Sequence, residues 1–340
     1  MSMMLKNIEL KETGVVILDQ TQLPNREVYK ELQTADEMRF AITELQVRGA
    51  PAIGIFAGYA LYFLAKGLAK NGAAEDFFPE LEKTADFLGS ARPTAVNLRW
   101  ALSRCIASAK KAGSRDMALL ALEHESRLIH EEDKAMCRAI SRHGLPFVTE
   151  GGGILTHCNA GPIATSEYGT GLGSIFLAKE EGINFRVYCD ETRPLLQGAR
   201  LTAFELHRAG IDTTLICDNM ASYAMKSGLI SAVFAGCDRV AANGDTANKI
   251  GTSGAAIIAK HYGIPFYVFC PSSTIDKSIS SGKEIVIEQR GGEEIAEKFF
   301  KERIAPAGIK FLNPAFDVTD NSLITAIVTE KGVVRPPYAF

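Results

Sequence analysis

From about residue 150 onward, short unbroken apolar runs alternate with helical stretches, and few architectures accommodate that rhythm. The runs are residues 154–157, 186–189, 213–217, 232–235 and 266–269; between them, helical patterning falls near 169–179, 195–209, 220–226 and 249–262. A strand that is apolar at every position is buried on both faces. Strands of that kind separated by helices imply a parallel, doubly wound, Rossmann-like sheet. Ligands of such sheets gather at the carboxyl ends of the strands.

The first part of the chain reads differently. Residues 7–10 and 15–18 flank Thr13-Gly14 as a short hairpin, Leu23-Pro24-Asn25 is a turn, and helical periodicity then covers 35–45, 52–70, 78–88, 94–112 and 115–143, ended by Gly144-Leu145-Pro146. We therefore expect an α/β protein with a mostly helical domain over 1–145 and the Rossmann-like domain over 146–340. With 340 residues, 46% of them hydrophobic, each part can bury its own core. A formal net charge of −3 without long runs of one sign argues against a nucleic-acid footprint or an anionic-membrane patch. Segment 49–65 is uncharged, but Pro51, Gly54, Gly58 and the following Lys66 suit a buried helix with proline in its first turn better than a membrane span. Residues 1–7 lack the apolar core of a signal peptide, and the seven cysteines include no C-x-x-C pair, so a reducing, cytoplasmic setting is expected.

Familiar cofactor signatures fail on inspection. Gly169-Thr170-Gly171-Leu172-Gly173 opens a helix, but Ser174 occupies the third glycine position of a dinucleotide loop. Residues 244–249 lack the glycine before Lys249 and the hydroxyl after it that a P-loop needs. His124-Glu125 and His130 are spaced for different helix faces, not for zinc. No cofactor and no metal are expected.

The strand ends are more informative. Thr156-His157-Cys158-Asn159 places a thiol, and Gly236-Cys237-Asp238-Arg239 a carboxylate, just beyond apolar strands; Cys189-Asp190-Glu191-Thr192-Arg193-Pro194 and Cys217-Asp218-Asn219 are polar as well. Taken singly, Cys158 reads equally as a buried structural cysteine and Asp238 as a partner for Arg239. Taken together, they suit one crevice. Three cationic segments suggest an anionic ligand: Arg48-Gly49-Ala50-Pro51 and Arg92-Pro93-Thr94 before helices, and Asn243 to Lys249, where Lys249 would sit beside free N–H groups of a helix start. Strand alternation turns His157 away from Cys158, toward core packing.

These blocks, with Val47-Arg48-Gly49-Ala50-Pro51-Ala52-Ile53-Gly54, Arg92-Pro93-Thr94-Ala95-Val96-Asn97-Leu98, Leu155 to Gly161, Asp190 to Gly198, Ala241 to Asp245, Asn248 to Thr252 and Asn313 to Thr319, resemble the methylthioribose-1-phosphate isomerase family. The wider family holds ribose-1,5-bisphosphate and 5-deoxyribose-1-phosphate isomerases and non-catalytic regulatory subunits of a translation initiation factor. The resemblance implies a cytoplasmic homodimer acting on a small sugar 1-phosphate in methionine salvage. It makes Cys158 and Asp238 the catalytic pair and Arg48, Gly49, Ala50, Arg92, Gln197, Asn248 and Lys249 the substrate contacts. Ile285-Val286-Ile287-Glu288-Gln289-Arg290 departs from the usual I-P-I-E-E-R, leaving the 5-substituent open between methylthio, deoxy and phosphate. The apolar run before Asp238 is expected to desolvate its carboxyl and keep it protonated.

Overall fold

The first apolar runs pair as a small antiparallel sheet in the order of the chain, β1 (Ile8–Leu10), β2 (Val15–Leu18) and β3 (Tyr29–Leu32). Strand β2 is buried throughout, whereas β3, Tyr-Lys-Glu-Leu, is largely open and was hidden from pattern reading by its polar residues. The helices follow as α1 (Ala35–Thr43), α2 (Ala50–Asn71), α3 (Phe77–Gly89), α4 (Val96–Ala112) and α5 (Arg115–Gly144). Helix α1 starts with a reciprocal capping box between Thr34 and Glu37. Helix α2 is the centre of this unit's core, packed with Leu81 and Leu88 of α3 and Leu98, Leu102 and Cys105 of α4. By length and hydropathy alone it could cross a membrane, yet 61% of its most apolar window is buried here.

The structure, a computed structural model, describes residues 5–93 and 95–340; Thr94 of the second cationic segment and the first four residues of the chain lie outside the described residues. Contacts divide the chain into two units, Leu5–Ala135 with Pro162–Glu167, and Met136–Gly161 with Tyr168–Phe340.

The second unit contains, in chain order, β4 (Gly153–His157), α6 (Gly173–Glu180), β5 (Arg186–Asp190), α7 (Ala203–Arg208), β6 (Thr213–Ile216), α8 (Ala221–Lys226), β7 (Ala232–Ala235), β8 (Arg239–Ala241), β9 (Thr246–Lys249), α9 (Thr252–His261), β10 (Phe266–Phe269), β11 (Ile275–Asp276), α10 (Glu293–Ala296), β12 (Phe316–Thr319), β13 (Ala326–Thr329) and β14 (Gly332–Val334). Seven strands form one sheet in the order β14-β13-β10-β7-β4-β5-β6, parallel except for β14. Alternate residues feed two cores. Ile154, Val187 and Phe234 meet Leu172, Ile175 and Phe176 on one face, while Leu155, Val233 and Val268 meet the alanines of α8 and α9 on the other. The expected doubly wound α/β architecture is therefore the observed one.

Several elements differ from the sequence reading. Strand β6 lies at the sheet edge with Thr214 and Leu215 exposed, so its apolar run is not buried on both faces. The expected helix over 195–209 is a π-helical turn, Gly198–Thr202, leading into the shorter α7. The expected helix over 249–262 begins only at Thr252, because 246–249 pairs as β9 with β8 and β12 in a second sheet, β11-β8-β9-β12. That sheet's strands are two to four residues long and mostly polar, too short to carry a period.

Candidate active site

Chain order explains where the site falls. After β4 the chain builds β5 and β6 on one side, then crosses to lay β7 on the other side of β4. A crevice opens where such a sheet reverses direction, at the carboxyl ends of the two strands that flank the reversal. Those strands are β4 and β7, whose register runs from Ile154 beside Ala232 to His157 beside Ala235. Cys158 is the next residue after β4, and Asp238 lies three residues beyond the end of β7.

Cys158 is held with care. Its φ is 65°, a left-handed conformation that costs a non-glycine residue about 1–3 kcal/mol. Its N–H donates to Thr192 Oγ1 at 2.8 Å, and its carbonyl accepts from Thr202 Oγ1 at 2.6 Å. Thr192 and Leu196, in the loop after β5, also have positive φ, at 63° and 57°. Asn159 Nδ2 ties the next residue to Glu205 (2.6 Å) and Thr202 (3.1 Å). Strain gathered in this way around one strand end marks a place where geometry outranks local stability.

Asp238 departs from expectation. Its N–H donates to Ala247 O at 2.9 Å, which turns the chain out of the sheet toward β8, and its side chain is exposed. The apolar strand before it therefore does not desolvate the carboxyl. Arg239, the neighbour that the sequence offered Asp238 as a partner, pairs with Asp276 at 3.4 Å.

Three further candidates lie in the same unit. Gln197, after β5, is buried, and its Oε1 has no hydrogen-bond partner among the described residues. Asn248 donates to Thr252 Oγ1 at 3.1 Å, and Lys249 Nζ lies 3.9 Å over the Phe316 ring. The expected free N–H groups beside Lys249 are not free: Asp317 accepts from Gly251 N (2.8 Å) and Ser253 N (3.1 Å), capping α9.

Arg48, Gly49, Ala50 and Arg92 belong to the helical unit. Gly49 caps α2 at φ 97°, and a Cβ there would fall 2.4 Å from Ala164 O, so only glycine fits. Arg48 and Arg92 are partly buried just ahead of α2 and α4, and Ala50 is exposed in the first turn of α2.

His157, expected to be core packing, is more than that. The ring is 2% exposed, with Nδ1 2.9 Å from Asp190 Oδ2 and Nε2 2.8 Å from the Ile250 carbonyl. Burial disfavours the charged ring, but the Asp190 hydrogen bond and charge, with the Ile250 carbonyl, more than offset it, so its pKa is raised. His157, Asp190 and Asp218 bring ligand-type atoms within 4.8 Å of one another. These atoms already serve the fold: Asp218 accepts from Thr192 N and Arg193 N, both at 2.7 Å. The polar ends of β5 and β6, read from sequence as part of a site, are its scaffold. Thr192, Thr202 and Asp317 escaped sequence reading because nothing in a lone threonine or aspartate announces which backbone group it will meet.

The profile of the initiation factor 2 subunit family matches residues 46–336. This chain belongs to that family. Known proteins are similar to it over nearly their whole length. A methylthioribose-1-phosphate isomerase of Symbiobacterium thermophilum is 56% identical over 96% of this chain and 91% of its own. A 5-deoxyribose 1-phosphate isomerase of Petrotoga mobilis is 55% identical over 97% and 95%. Among solved structures, 5-methylthioribose 1-phosphate isomerase from Pyrococcus horikoshii OT3 superposes with a TM-score of 0.93 at 40% identity, covering 98% of this chain and 93% of that one. Translation initiation factor eIF-2B subunit delta from A. fulgidus gives 0.91 at 40%, covering 98% and 97%.

Proposed function

We propose that this family member is an aldose–ketose isomerase that converts 5-methylthioribose 1-phosphate to 5-methylthioribulose 1-phosphate. The observation that carries the reading is the placement of Cys158 and Asp238 at the carboxyl ends of the adjacent strands β4 and β7, where the strand order reverses. Phosphate on the anomeric oxygen prevents ordinary loss of a hydroxyl proton, so ring opening requires protonation of the ring oxygen. Asp238 gives that proton, the C1–O ring bond breaks, and C1 becomes electron-poor. Cys158, as the thiolate, then removes the C2 proton to form an enol phosphate, which is protonated at C1 as the 2-hydroxyl gives up its proton to leave the C2 carbonyl, or it takes the 2-hydroxyl proton while hydride moves from C2 to C1; solvent deuterium enters C1 only by the first route. Because Asp238 is exposed, the bound sugar must exclude water from it.

Gln197, Asn248 and Lys249 are the proposed substrate contacts of the sheet unit, and Arg48, Gly49, Ala50 and Arg92 the anion-holding groups of the helical unit. The Oε1 of Gln197, without a partner among the described residues, supports such a role, since a buried amide oxygen gains from a ligand hydroxyl. The same reading includes a cytoplasmic homodimer and a place in methionine salvage. A 5-deoxyribose 1-phosphate substrate is the second reading, favoured by the Petrotoga mobilis relative at 55% identity. Side-by-side kcat/KM values for 5-methylthioribose 1-phosphate, 5-deoxyribose 1-phosphate and ribose 1,5-bisphosphate test the assignment. Turnover of none of them would leave only a sugar-phosphate-sensing role.

A further inference from the structure

We infer that His157 is a positioning residue, a buried two-ended brace that fixes the Asn248–Lys249 strand end relative to Cys158. This inference rests on the proposed isomerase reading for its kinetic consequence, though not for its structural one.

The argument is one of connectivity. His157 closes β4 and directly precedes Cys158, so any motion of its ring is felt at the thiol's backbone. On one side it meets Asp190 at the end of β5. On the other it meets the carbonyl of Ile250, the residue after Lys249. One ring thus joins the segments that carry Cys158, Gln197 and the Asn248–Lys249 pair. The fit is tight on the α9 side: Gly251 has φ 103°, and a Cβ there would lie 2.7 Å from the imidazole Cε1. Asp190 Oδ1 has no hydrogen-bond partner among the described residues, which leaves the His157 contact as the carboxyl's anchor.

Two acceptors, one on each ring nitrogen, call for two N–H donors, the form only a protonated imidazole offers. Nearby carboxylates favour it: Asp190 and Asp218 raise the His157 pKa against the burial that lowers it, while burial raises the Asp190 pKa against the pull of His157, and His157 lowers that of Asp317 against the burial that raises it. A neutral isostere would lose one end of the brace or both. Misplacement of a reacting group by about 1 Å can cost on the order of 10²-fold in rate.

The test compares His157→Gln, which keeps one donor nitrogen, His157→Phe, which keeps none, and Asp190→Asn. Three readouts are taken: steady-state kinetics, amide hydrogen exchange at Gly251 to Ser253, and ring-nitrogen NMR of the unaltered protein. The expected result is a kcat lower by about 10- to 100-fold in the phenylalanine variant with KM within about threefold, and partial recovery in the glutamine variant. Faster exchange in the first turn of α9 in both His157 variants, and two protonated ring nitrogens at pH 7, complete it. Equal kcat in the glutamine and phenylalanine variants, or unchanged exchange in both, overturns the brace. Should the phenylalanine variant fail to fold, Asp190→Asn decides: unchanged kcat and unchanged exchange there overturn it equally. An unaltered protein that turns over no aldose 1-phosphate would sink the isomerase reading alone, since exchange and NMR still judge His157.

Discussion

His130 in the helical unit and His157 at the strand ends are both largely shut away from water, and their pKa values move in opposite directions. His130 Nδ1 sits 2.7 Å from the Tyr59 hydroxyl, with the two rings edge to face at 5.6 Å. Burial there, helped by Lys134, lowers its pKa to about 4, and burial likewise raises Tyr59 to about 12. His157 faces a carboxylate and a carbonyl, and is raised. Burial alone therefore does not decide a histidine's charge; the partner does. The helical unit uses a neutral ring as packing with one hydrogen bond, whereas the strand ends use a ring with a partner at each nitrogen to tie loops together.

If chemistry resides at the strand ends and the helical core only supports it, the largest effects come from the catalytic pair. Cys158→Ala and Asp238→Asn should each lower kcat by about 10²- to 10³-fold, with thermal midpoints near that of the unaltered protein. His130→Phe should keep kcat within about twofold. Steady-state kinetics beside thermal melts checks both halves, and normal turnover in either strand-end variant would break the contrast.

How much of this could be read in advance differs between the same regions. Helices α1 to α5 were legible to within two residues or so at most ends, because a buried helix face repeats over many turns, as α5 does over thirty residues. Strands β2, β7 and β10 were legible to the residue, being fully apolar and bounded by turns. The second sheet was not, since β8, β9 and β12 owe their form to pairing within that sheet rather than to any apolar period of their own. At the site, Cys158 and Asp238 stood out by position after apolar strands. The exposure of Asp238 did not, because it depends on the Ala247 carbonyl turning the chain outward. Nor did the cap on α9, which comes from Asp317, 64 residues beyond Ser253.

Backbone effects in the helical unit come next. Gly49→Ala places a methyl against Ala164 at a positive φ, and should destabilise that unit by about 2 kcal/mol or more, seen as a lower urea midpoint. Arg48→Ala should act on binding instead: KM higher by about tenfold at little change in kcat, as expected when a charged hydrogen bond common to ground and transition states is removed. A fall in kcat with KM unchanged would move Arg48 into the chemistry and blur the division between the units.

The smallest effect is the sharpest test of the two histidines, because its sign differs between them. For His130 the folded pKa, about 4, lies below the 6.5 of the free side chain. Above pH 6.5 the ring is neutral in both states and costs nothing. As the pH falls from 6.5 toward 4, the unfolded chain takes up a proton that the folded one refuses, and stability is lost across that window. After allowance for partial exposure, the loss at pH 5 is about 1 kcal/mol. For His157 the folded pKa is raised, so its contribution is fully present below 6.5 and is lost as the pH rises through the folded value. Amide exchange followed region by region separates the two: acidification from pH 7 to 5 should speed global-type exchange in α2, and His130→Phe should abolish that response. As the pH rises from 6.5 through the raised pKa of His157, the half-buried turn before α9 should loosen instead, and only while His157 is present. Responses of the same sign in both regions would mean that the two rings share one protonation state, and the contrast between packing and brace would fail.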